Sequence, residues 1–121
     1  MSEPRRSLIV LVLLMLGVGG ATQWWAGRTQ ARVGEQLVAR VAPGDIRLLS
    51  STTCAYCAAA RQWMQRRHVP FSECFIETDA ACAAEFAAAG APGTPVVLVR
   101  GRAQLGFDPQ RVLGALGARS S

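Results

Sequence analysis

The sequence contains no lysine, and all thirteen of its basic residues are arginine. Two of them, Arg5 and Arg6, precede the first apolar segment, and the others are scattered along the chain. No basic run interleaves with aromatic residues, so the net charge of +5 indicates a solvated surface and argues against nucleic-acid binding. Charged residues are few, at 17%, whereas half of the 121 residues are apolar, which is enough for one folded domain.

Metal-ligand patterns are scarce as well. A structural zinc site usually needs two closely spaced cysteine pairs. Here Cys54 and Cys57 form one C-x2-C pair, but seven residues separate Cys74 from Cys82, and His68 is the only histidine. We therefore predict no metal site. The remaining metal alternative is a Cu(I)- or soft-metal-binding module outside the cytoplasm, in which Cys54 and Cys57 supply the thiolates.

The N-terminal segment has the composition of a membrane-spanning helix. Arg5 and Arg6 are followed by an uninterrupted apolar run over residues 8–18. The 19 residues of segment 8–26 span about 28 Å as a helix, close to the roughly 30 Å hydrocarbon core of a bilayer. The tryptophan pair near its end would then lie at the far membrane interface, where amphipathic rings are enriched.

We therefore predict that residues 1–26 form a single-pass anchor in a bacterial inner membrane, with membrane contact through residues 8–26. Because a basic flank stays on the cytoplasmic side, the rest of the chain would face the periplasm. The alternative is a signal segment cleaved after Ala21, which would release the domain into the periplasm. Both interpretations place the cysteines in an oxidising compartment, where disulfides persist.

The rest of the sequence alternates between helical and strand patterns. Residues 27–44 predict an amphipathic stalk or linker helix, residues 45–117 a domain with the order βαβαββα, and residues 118–121 a disordered tail. A strand–helix–strand unit implies parallel pairing, and a two-residue connection implies an antiparallel hairpin. The predicted fold is therefore an α/β domain with a four-stranded mixed sheet flanked by helices. Strands are expected at Ile46–Ser50, Phe71–Ile76, Val96–Arg100 and Ala103–Gly106, and helices at Cys57–Arg67, from Asp79 to Gly90, and from Pro109 onward.

The C-x2-C pair lies where a predicted strand ends and a helix begins. Free backbone N–H groups and the helix macrodipole stabilise negative charge at such a position, so a thiolate at Cys54 would have a lowered pKa. We predict that Cys54 attacks a disulfide and that Cys57, shielded by the first helical turn, resolves the mixed disulfide. A purely structural Cys54–Cys57 disulfide is disfavoured, because so small a ring restrains the unfolded chain little.

Thr94-Pro95 directly precedes the third predicted strand. Proline cannot donate to a strand ladder, so it is typical of a strand's first residue or of a turn. Alone, this dipeptide indicates only a loop that ends before a strand.

Together, three motifs in this order resemble the glutaredoxin-like branch of the thioredoxin superfamily, in a membrane-anchored bacterial form. They are C-x2-C after the first strand, Thr94-Pro95 before the third, and LGFD before the last helix. The resemblance spans about residues 45–117 and implies a thioredoxin/glutaredoxin-like fold with thiol–disulfide oxidoreductase activity. It implies that Cys54 is the nucleophile, Cys57 the resolving cysteine and the Thr94–Pro95 bond cis. The substrate-binding residues that it implies are Tyr56, Thr94, Pro95, Gly106, Phe107 and Asp108.

The sequence also differs from the glutaredoxin pattern. Ala55-Tyr56 stands where glutaredoxins typically carry Pro-Tyr, and Ser51 stands where they carry a basic residue suited to a glutathione carboxylate. We therefore expect protein thiols and disulfides as substrates, an upstream redox partner and no cofactor. Glutathione is the alternative co-substrate.

The remaining cysteines lie outside these motifs. Cys74 is on the second predicted strand and Cys82 in the first turn of the next helix, so the two could approach each other across that connection. We predict a structural disulfide between them, favoured by the oxidising compartment and contributing roughly 2–3 kcal/mol. Two buried free thiols are the alternative.

Overall fold

The structure is a computed structural model that describes residues 3–117, so the predicted tail at 118–121 lies outside the described residues. The strands and helices follow the predicted order βαβαββα after an N-terminal helix. The chain divides into two compact units, Met1–Arg32 and Val33–Ser121. The elements are α1 (Glu3–Arg40), β1 (Ile46–Ser50), α2 (Ala55–Arg66), β2 (Ser72–Phe75), α3 (Ala80–Ala89), β3 (Val96–Val99), β4 (Arg102–Leu105) and α4 (Pro109–Gly117).

The first unit contains most of α1 and has an apolar, exposed surface. The large apolar side chains from Leu8 to Val18 are all exposed. The guanidinium of Arg28 lies 4.5 Å from the centroid of the Trp24 ring. α1 is long and apolar enough to cross a membrane, which is compatible with an anchor or with a signal sequence near the N-terminus.

The second unit contains a four-stranded mixed sheet in the order β2-β1-β3-β4. β1 pairs in parallel with β2, so Leu49 lies beside Cys74, and it pairs antiparallel with β3 on its other edge. β3 and β4 form a hairpin whose turn residues, Arg100 and Gly101, have φ values of 50° and 85°. Positive φ at both positions is what a type I′ turn requires. Arg100 is therefore a turn residue rather than the end of the predicted strand Val96–Arg100, and β4 begins at Arg102, one residue before the predicted Ala103.

The sheet separates two apolar clusters, because successive strand residues point to opposite faces. Leu48 and Val97 belong to the larger cluster, whereas their neighbours Leu49 and Val96 belong to the smaller one. α1, α2 and α4 complete the larger cluster, and α3 covers the smaller one. The buried residues of the larger cluster are Val33, Leu37, Ile46, Leu48, Ala60, Met64, Val69, Val97, Val99, Val112 and Leu116.

The C-terminal turns of α1 are part of the folded domain. Val33 and Leu37 are buried in the larger cluster, so the apolar stripe predicted within residues 27–44 packs on the domain. A Cβ placed on Gly34 would lie 2.7 Å from Cδ of Arg67, which shows how closely α1 approaches the end of α2. The second compact unit consequently begins at Val33, within the segment that the sequence assigns to the stalk.

The structure contains the predicted disulfide between Cys74 on β2 and Cys82 on α3. Asp79 caps α3, with its Oδ1 accepting from the N–H groups of Ala81 and Cys82 at 3.0 and 3.1 Å. This cap starts the helix immediately after β2, and the two cysteine Cα atoms lie 6.0 Å apart, within the range for disulfides. The disulfide belongs to the smaller cluster, on the α3 side of the sheet.

Candidate active site

Cys54 is the N-cap residue of α2. Its backbone is extended (φ −97°, ψ 112°), and its sulfur accepts a hydrogen bond from the N–H of Cys57 at 3.1 Å. A serine or aspartate oxygen usually fills this position. The helix begins at Ala55, earlier than the predicted start at Cys57, because the cysteine side chain itself caps the first turn. The nucleophile predicted from the sequence is thus held at a helix N-terminus.

The two thiols differ in accessibility. Both Cys54 and Cys57 are free cysteines, but Cys54 is half-buried whereas Cys57 is 0% exposed. Cys57 lies on the inner face of α2 with Ala60 and Met64, which are also buried. An incoming substrate can therefore reach the sulfur of Cys54 but not that of Cys57.

The two thiols also differ in ionisation. Partial burial opposes ionisation of Cys54, but hydrogen bonds with Cys57 and Thr94 and with backbone N–H groups hold the pKa of Cys54 below its ordinary value. Burial raises the pKa of Cys57, and its hydrogen bond with Cys54 acts in the same direction. Cys54 is therefore the better nucleophile near neutral pH, while Cys57 remains a thiol.

The loop before β3 faces this pair. The Thr94–Pro95 peptide bond is cis, as the resemblance implies. The Sγ of Cys54 lies 3.6 Å from the carbonyl oxygen of Thr94. The carbonyl oxygen of Pro95 accepts from the N–H of Gly106 at 2.9 Å, which ties this loop to the end of β4. Cys54, Cys57, Thr94 and Pro95 are thus brought together, and Gly106 is hydrogen-bonded to Pro95.

The other predicted substrate-binding residues have different environments. Tyr56, between the two cysteines, is 78% exposed. Phe107 packs on the larger cluster, with its ring edge-on to Trp63 at 5.6 Å. Asp108 starts α4, with its Oδ1 accepting from the N–H of Gln110 at 3.0 Å. The structure therefore gives Phe107 and Asp108 roles in packing and capping, and their predicted contact with substrate stays a prediction.

A carboxylate that the sequence reasoning missed stabilises the loop before Cys54. The hydroxyl of Ser51 donates to Glu77, and the N–H of Thr52 lies 3.3 and 3.2 Å from its two carboxylate oxygens. The hydrogen bond from Ser51 is the main reason that the pKa of Glu77 is lowered. Glu77 lies in the turn after β2, far in sequence from the loop that it contacts. The only sequence signal of this contact is the run of hydroxyl residues at 51–53, which can donate hydrogen bonds to a carboxylate.

A second missed group lies behind Cys57. Ser50 is fully buried, and its hydroxyl donates to Oε2 of Glu73 at 2.6 Å. Nε and Nη2 of Arg61 donate to the two oxygens of the same carboxylate at 2.7 and 2.9 Å. Burial raises the pKa of Cys57, and Ser50 acts weakly against that rise. The available sequence signal was Glu73 itself, a charged residue inside an otherwise largely apolar strand.

Within residues 3–117, no three histidine, cysteine or acidic side chains come together in a way that could hold a metal ion.

Comparison with known proteins agrees with the fold. Residues 46–103 match the family model described as Glutaredoxin, a range that contains Cys54, Cys57 and Pro95. A mutant form of the thioredoxin-like protein BC3987 is similar in structure, with a TM-score of 0.54 and 20% sequence identity, over 61% of this chain and 96% of that one. No curated protein sequence matches the chain significantly. Residues 46–103 are therefore similar to a glutaredoxin domain, and the fold is thioredoxin-like.

Proposed function

We propose that this protein is a thiol–disulfide oxidoreductase that exchanges electrons with protein thiols and disulfides outside the cytoplasm. The observation that carries the proposal is the asymmetry of the cysteine pair: Cys54 is an accessible helix cap, and Cys57 is fully buried one turn later. Thiol–disulfide exchange needs one accessible thiolate that attacks and a second thiol that is shielded until a mixed disulfide has formed.

In the reducing direction, the Cys54 thiolate attacks one sulfur of a substrate disulfide. That S–S bond breaks, and the other substrate sulfur leaves as a thiolate that takes up a proton. Cys57 then loses its proton and attacks the Cys54 sulfur, which releases the second substrate thiolate. Two electrons have passed to the substrate, and an upstream dithiol partner restores the Cys54–Cys57 pair. The reverse sequence oxidises a substrate dithiol.

The surroundings of Cys54 suit a polypeptide substrate. The backbone of Thr94 lies beside the sulfur, and Pro95 follows it in cis, so an extended substrate segment can be placed along this edge. Exposed Tyr56, in the first turn of α2, adds an aromatic surface close to Cys54 in the chain. Backbone and aromatic contacts hold a peptide without demanding a particular charge.

The same surroundings do not favour glutathione. Where glutaredoxins carry a basic residue, the side chain of Ser51 donates to Glu77, which adds a negative charge beside the loop. Glutathione carries carboxylates of its own, and like charges repel at short range. We therefore propose protein thiols as the main substrates.

The proposed location rests on α1. Its exposed apolar surface and its basic N-terminal flank are what a single-pass anchor with an outward-facing domain needs. A compartment without a reducing thiol pool also suits the Cys74–Cys82 disulfide.

Trapping of mixed disulfides tests the proposed function. In the Cys57→Ser variant, Cys54 can attack but nothing releases the product, so disulfide-linked adducts with substrate proteins should accumulate and disappear on reduction. The Cys54→Ser variant is the matched control, since it keeps a buried thiol at 57 and should trap none. Insulin reduction should be lost in both variants. Equal trapping by the two variants, or none by either, would contradict the proposal.

A further inference from the structure

Glu77 is a carboxylate held against the loop that presents Cys54. Its oxygens accept hydrogen bonds from the hydroxyl of Ser51 and, at 3.3 and 3.2 Å, from the N–H of Thr52. The carbonyl oxygen of Ser51 in turn accepts from the N–H of Cys54 at 3.3 Å, which closes a turn over residues 51–54. The carboxylate is therefore hydrogen-bonded to the turn that ends at the reactive cysteine.

The backbone on each side of Glu77 is fixed as well. The N–H of Ile76, the residue before it, donates to the carbonyl oxygen of Ser50 at 3.0 Å. The N–H of Asp79, two residues after it, donates to the carbonyl oxygen of Phe75 at 3.0 Å. These hydrogen bonds tie the turn after β2 to the ends of β1 and β2, so the side chain of Glu77 is held beside the Cys54 loop.

The charge of Glu77 is not neutralised by any arginine in the part of the chain that the structure describes, whereas Glu73 and Glu85 each form an ion pair with one. The hydrogen bond from Ser51 is the main reason that the pKa of Glu77 is lowered, so the side chain is a carboxylate at neutral pH. Glu77 is also an exposed residue, so a molecule that approaches this loop meets its negative charge.

The two segments that form the site carry no charge of their own. Residues 51–60 include both cysteines and residues 86–99 include the cis-proline, and neither segment contains an arginine, a histidine or an acidic residue. Arg61, the first basic residue after the cysteines, is held by both oxygens of Glu73. Although the whole protein has a net charge of +5, the loop before its reactive cysteine is thus bonded to a negative charge that no arginine offsets.

We propose that Glu77 is a specificity-determining residue, which makes the Cys54 site select disulfides and thiols flanked by basic residues over those flanked by acidic ones. The carboxylate attracts a cationic group beside the substrate sulfur and repels an anionic one. The exchange itself is unchanged: the Cys54 sulfur bonds to one substrate sulfur, the substrate S–S bond breaks, and the departing thiolate takes up a proton. The inference rests on the proposed function and adds the charge of its substrates.

The size of the effect follows from the distance between the charges. Glu77 contacts Thr52, two residues before Cys54, which places the carboxylate on the order of 10 Å from the reacting sulfurs. A unit charge at that distance in water changes a rate of approach about twofold at low ionic strength. Replacing a cationic group of the substrate by an anionic one should therefore change the relative rate about fourfold.

Three disulfides of matched length test this preference: cystamine is cationic, hydroxyethyl disulfide is neutral and dithiodipropionate is anionic. The reduced full-length protein, in a non-ionic detergent at low ionic strength, is mixed with each and quenched with acid. Alkylation and mass spectrometry then measure the loss of free Cys54. Each rate for a charged disulfide is divided by the rate for the neutral one, so a change in the loop itself cancels.

In Glu77→Gln, which keeps a side-chain oxygen able to accept from Ser51, the ratio of the cystamine rate to the dithiodipropionate rate should fall about fourfold from its wild-type value. Comparison with the wild type cancels the intrinsic reactivities of the two disulfides. Glu77→Lys reverses the charge, so the ratio should fall about twice as far on a logarithmic scale. A peptide disulfide with arginine beside its cysteines should be preferred over one with glutamate there, and Glu77→Gln should reduce that preference.

Glu85→Gln is the matched control, since it also removes one carboxylate, but from α3 on the other face of the sheet, and it should leave the ratio at the wild-type value. A ratio that Glu77→Gln does not change, or that Glu85→Gln lowers equally, would overturn the inference while the proposed function stands. A fourfold difference that persists in about 1 M salt would also overturn it, because screening removes an effect of charge. Exchange with none of the three disulfides would overturn the proposed function as well.

Discussion

At the scale of single residues, Cys54 combines two roles that depend on the same hydrogen bond. The N–H of Cys57 that caps α2 through the Cys54 sulfur also stabilises a negative charge on it. Removing a proton from Cys54 therefore strengthens the cap, whereas removing one from Cys57 places a charge in a fully buried position.

This difference predicts a selective pH profile for alkylation. In the reduced wild-type protein, iodoacetamide should modify Cys54 first, with Cys57 protected by its burial. The pKa of Cys54 is lowered, so its alkylation rate should stay high below the ordinary titration range of a thiol and fall only as the pH drops through the lowered value. Mass spectrometry of peptides after timed quenching measures both sites. The denatured protein is the control, and a profile identical to it would contradict the lowered pKa.

The positions of the two cysteines were predictable because they are local in sequence. A C-x2-C pair at a strand-to-helix transition determines which sulfur lies at the helix end and which lies one turn inside. The Arg61–Glu73 pair was not predictable in this way, because it depends on the register of β1 against β2 and on which face α2 covers. Periodicity indicates that a face is buried, but it does not show which side chain of another element lies opposite.

At the scale of elements, the sheet keeps the two cysteine pairs apart. Cys57 is on the buried side of α2, which covers one face of the sheet, and the Cys74–Cys82 disulfide joins β2 to α3 on the other face. The guanidinium of Arg47 approaches Cys74 at 3.6 Å and forms an ion pair with Glu85, so the disulfide has its own polar neighbours. Electron exchange between the pairs would have to cross the sheet.

We therefore expect the Cys74→Ser/Cys82→Ser variant to keep its insulin-reduction activity and lose stability. The expected loss in the free energy of unfolding is roughly 2–3 kcal/mol from chain entropy, because a short loop is no longer closed in the unfolded chain. Urea unfolding followed by tryptophan fluorescence measures it, with the wild-type protein under mild reduction as the reference. If activity falls while stability is unchanged, the disulfide takes part in turnover.

The order and type of the elements followed from hydrophobic patterns and turn residues, whereas their ends did not. α2 begins at Ala55 because the sulfur of Cys54 caps it. Helix-capping preferences favour a side-chain oxygen at this position, so they do not predict a cysteine cap. The β3–β4 turn lies at Arg100-Gly101, because Arg100 adopts a positive φ, which is uncommon for residues other than glycine. Local exceptions of this kind are settled by tertiary context.

At the scale of the whole molecule, α1 has two different surfaces along its length. From Leu8 to Val18 its apolar side chains are exposed, whereas Val33 and Leu37 are buried in the domain core. The sequence indicated the apolar run at 8–18 and the amphipathic segment at 27–44. It did not indicate that the second segment packs into the same core as α2 and α4.

We expect the protein to remain with the membrane fraction after a carbonate wash and to be released by detergent. In intact spheroplasts, a membrane-impermeant maleimide should label Cys54 without lysis, because the domain would face outward. The Cys54→Ser variant is the control for labelling at the other cysteines. A soluble domain with a new N-terminus near Thr22 would instead identify a cleaved signal segment.

The sulfur cap on α2 also links the stability of the whole fold to its oxidation state. Only the reduced protein offers the N–H of Cys57 a full thiolate charge at Cys54, and such charge-assisted bonds are stronger than neutral ones by about 1 kcal/mol. Around a closed thermodynamic cycle, a gain that folding confers on the dithiol alone must reappear as a higher reduction potential, about 30 mV for every 1.4 kcal/mol. This hydrogen bond thus makes the folded pair a stronger oxidant than it would be without the cap, and the first turn of one helix is part of the redox couple.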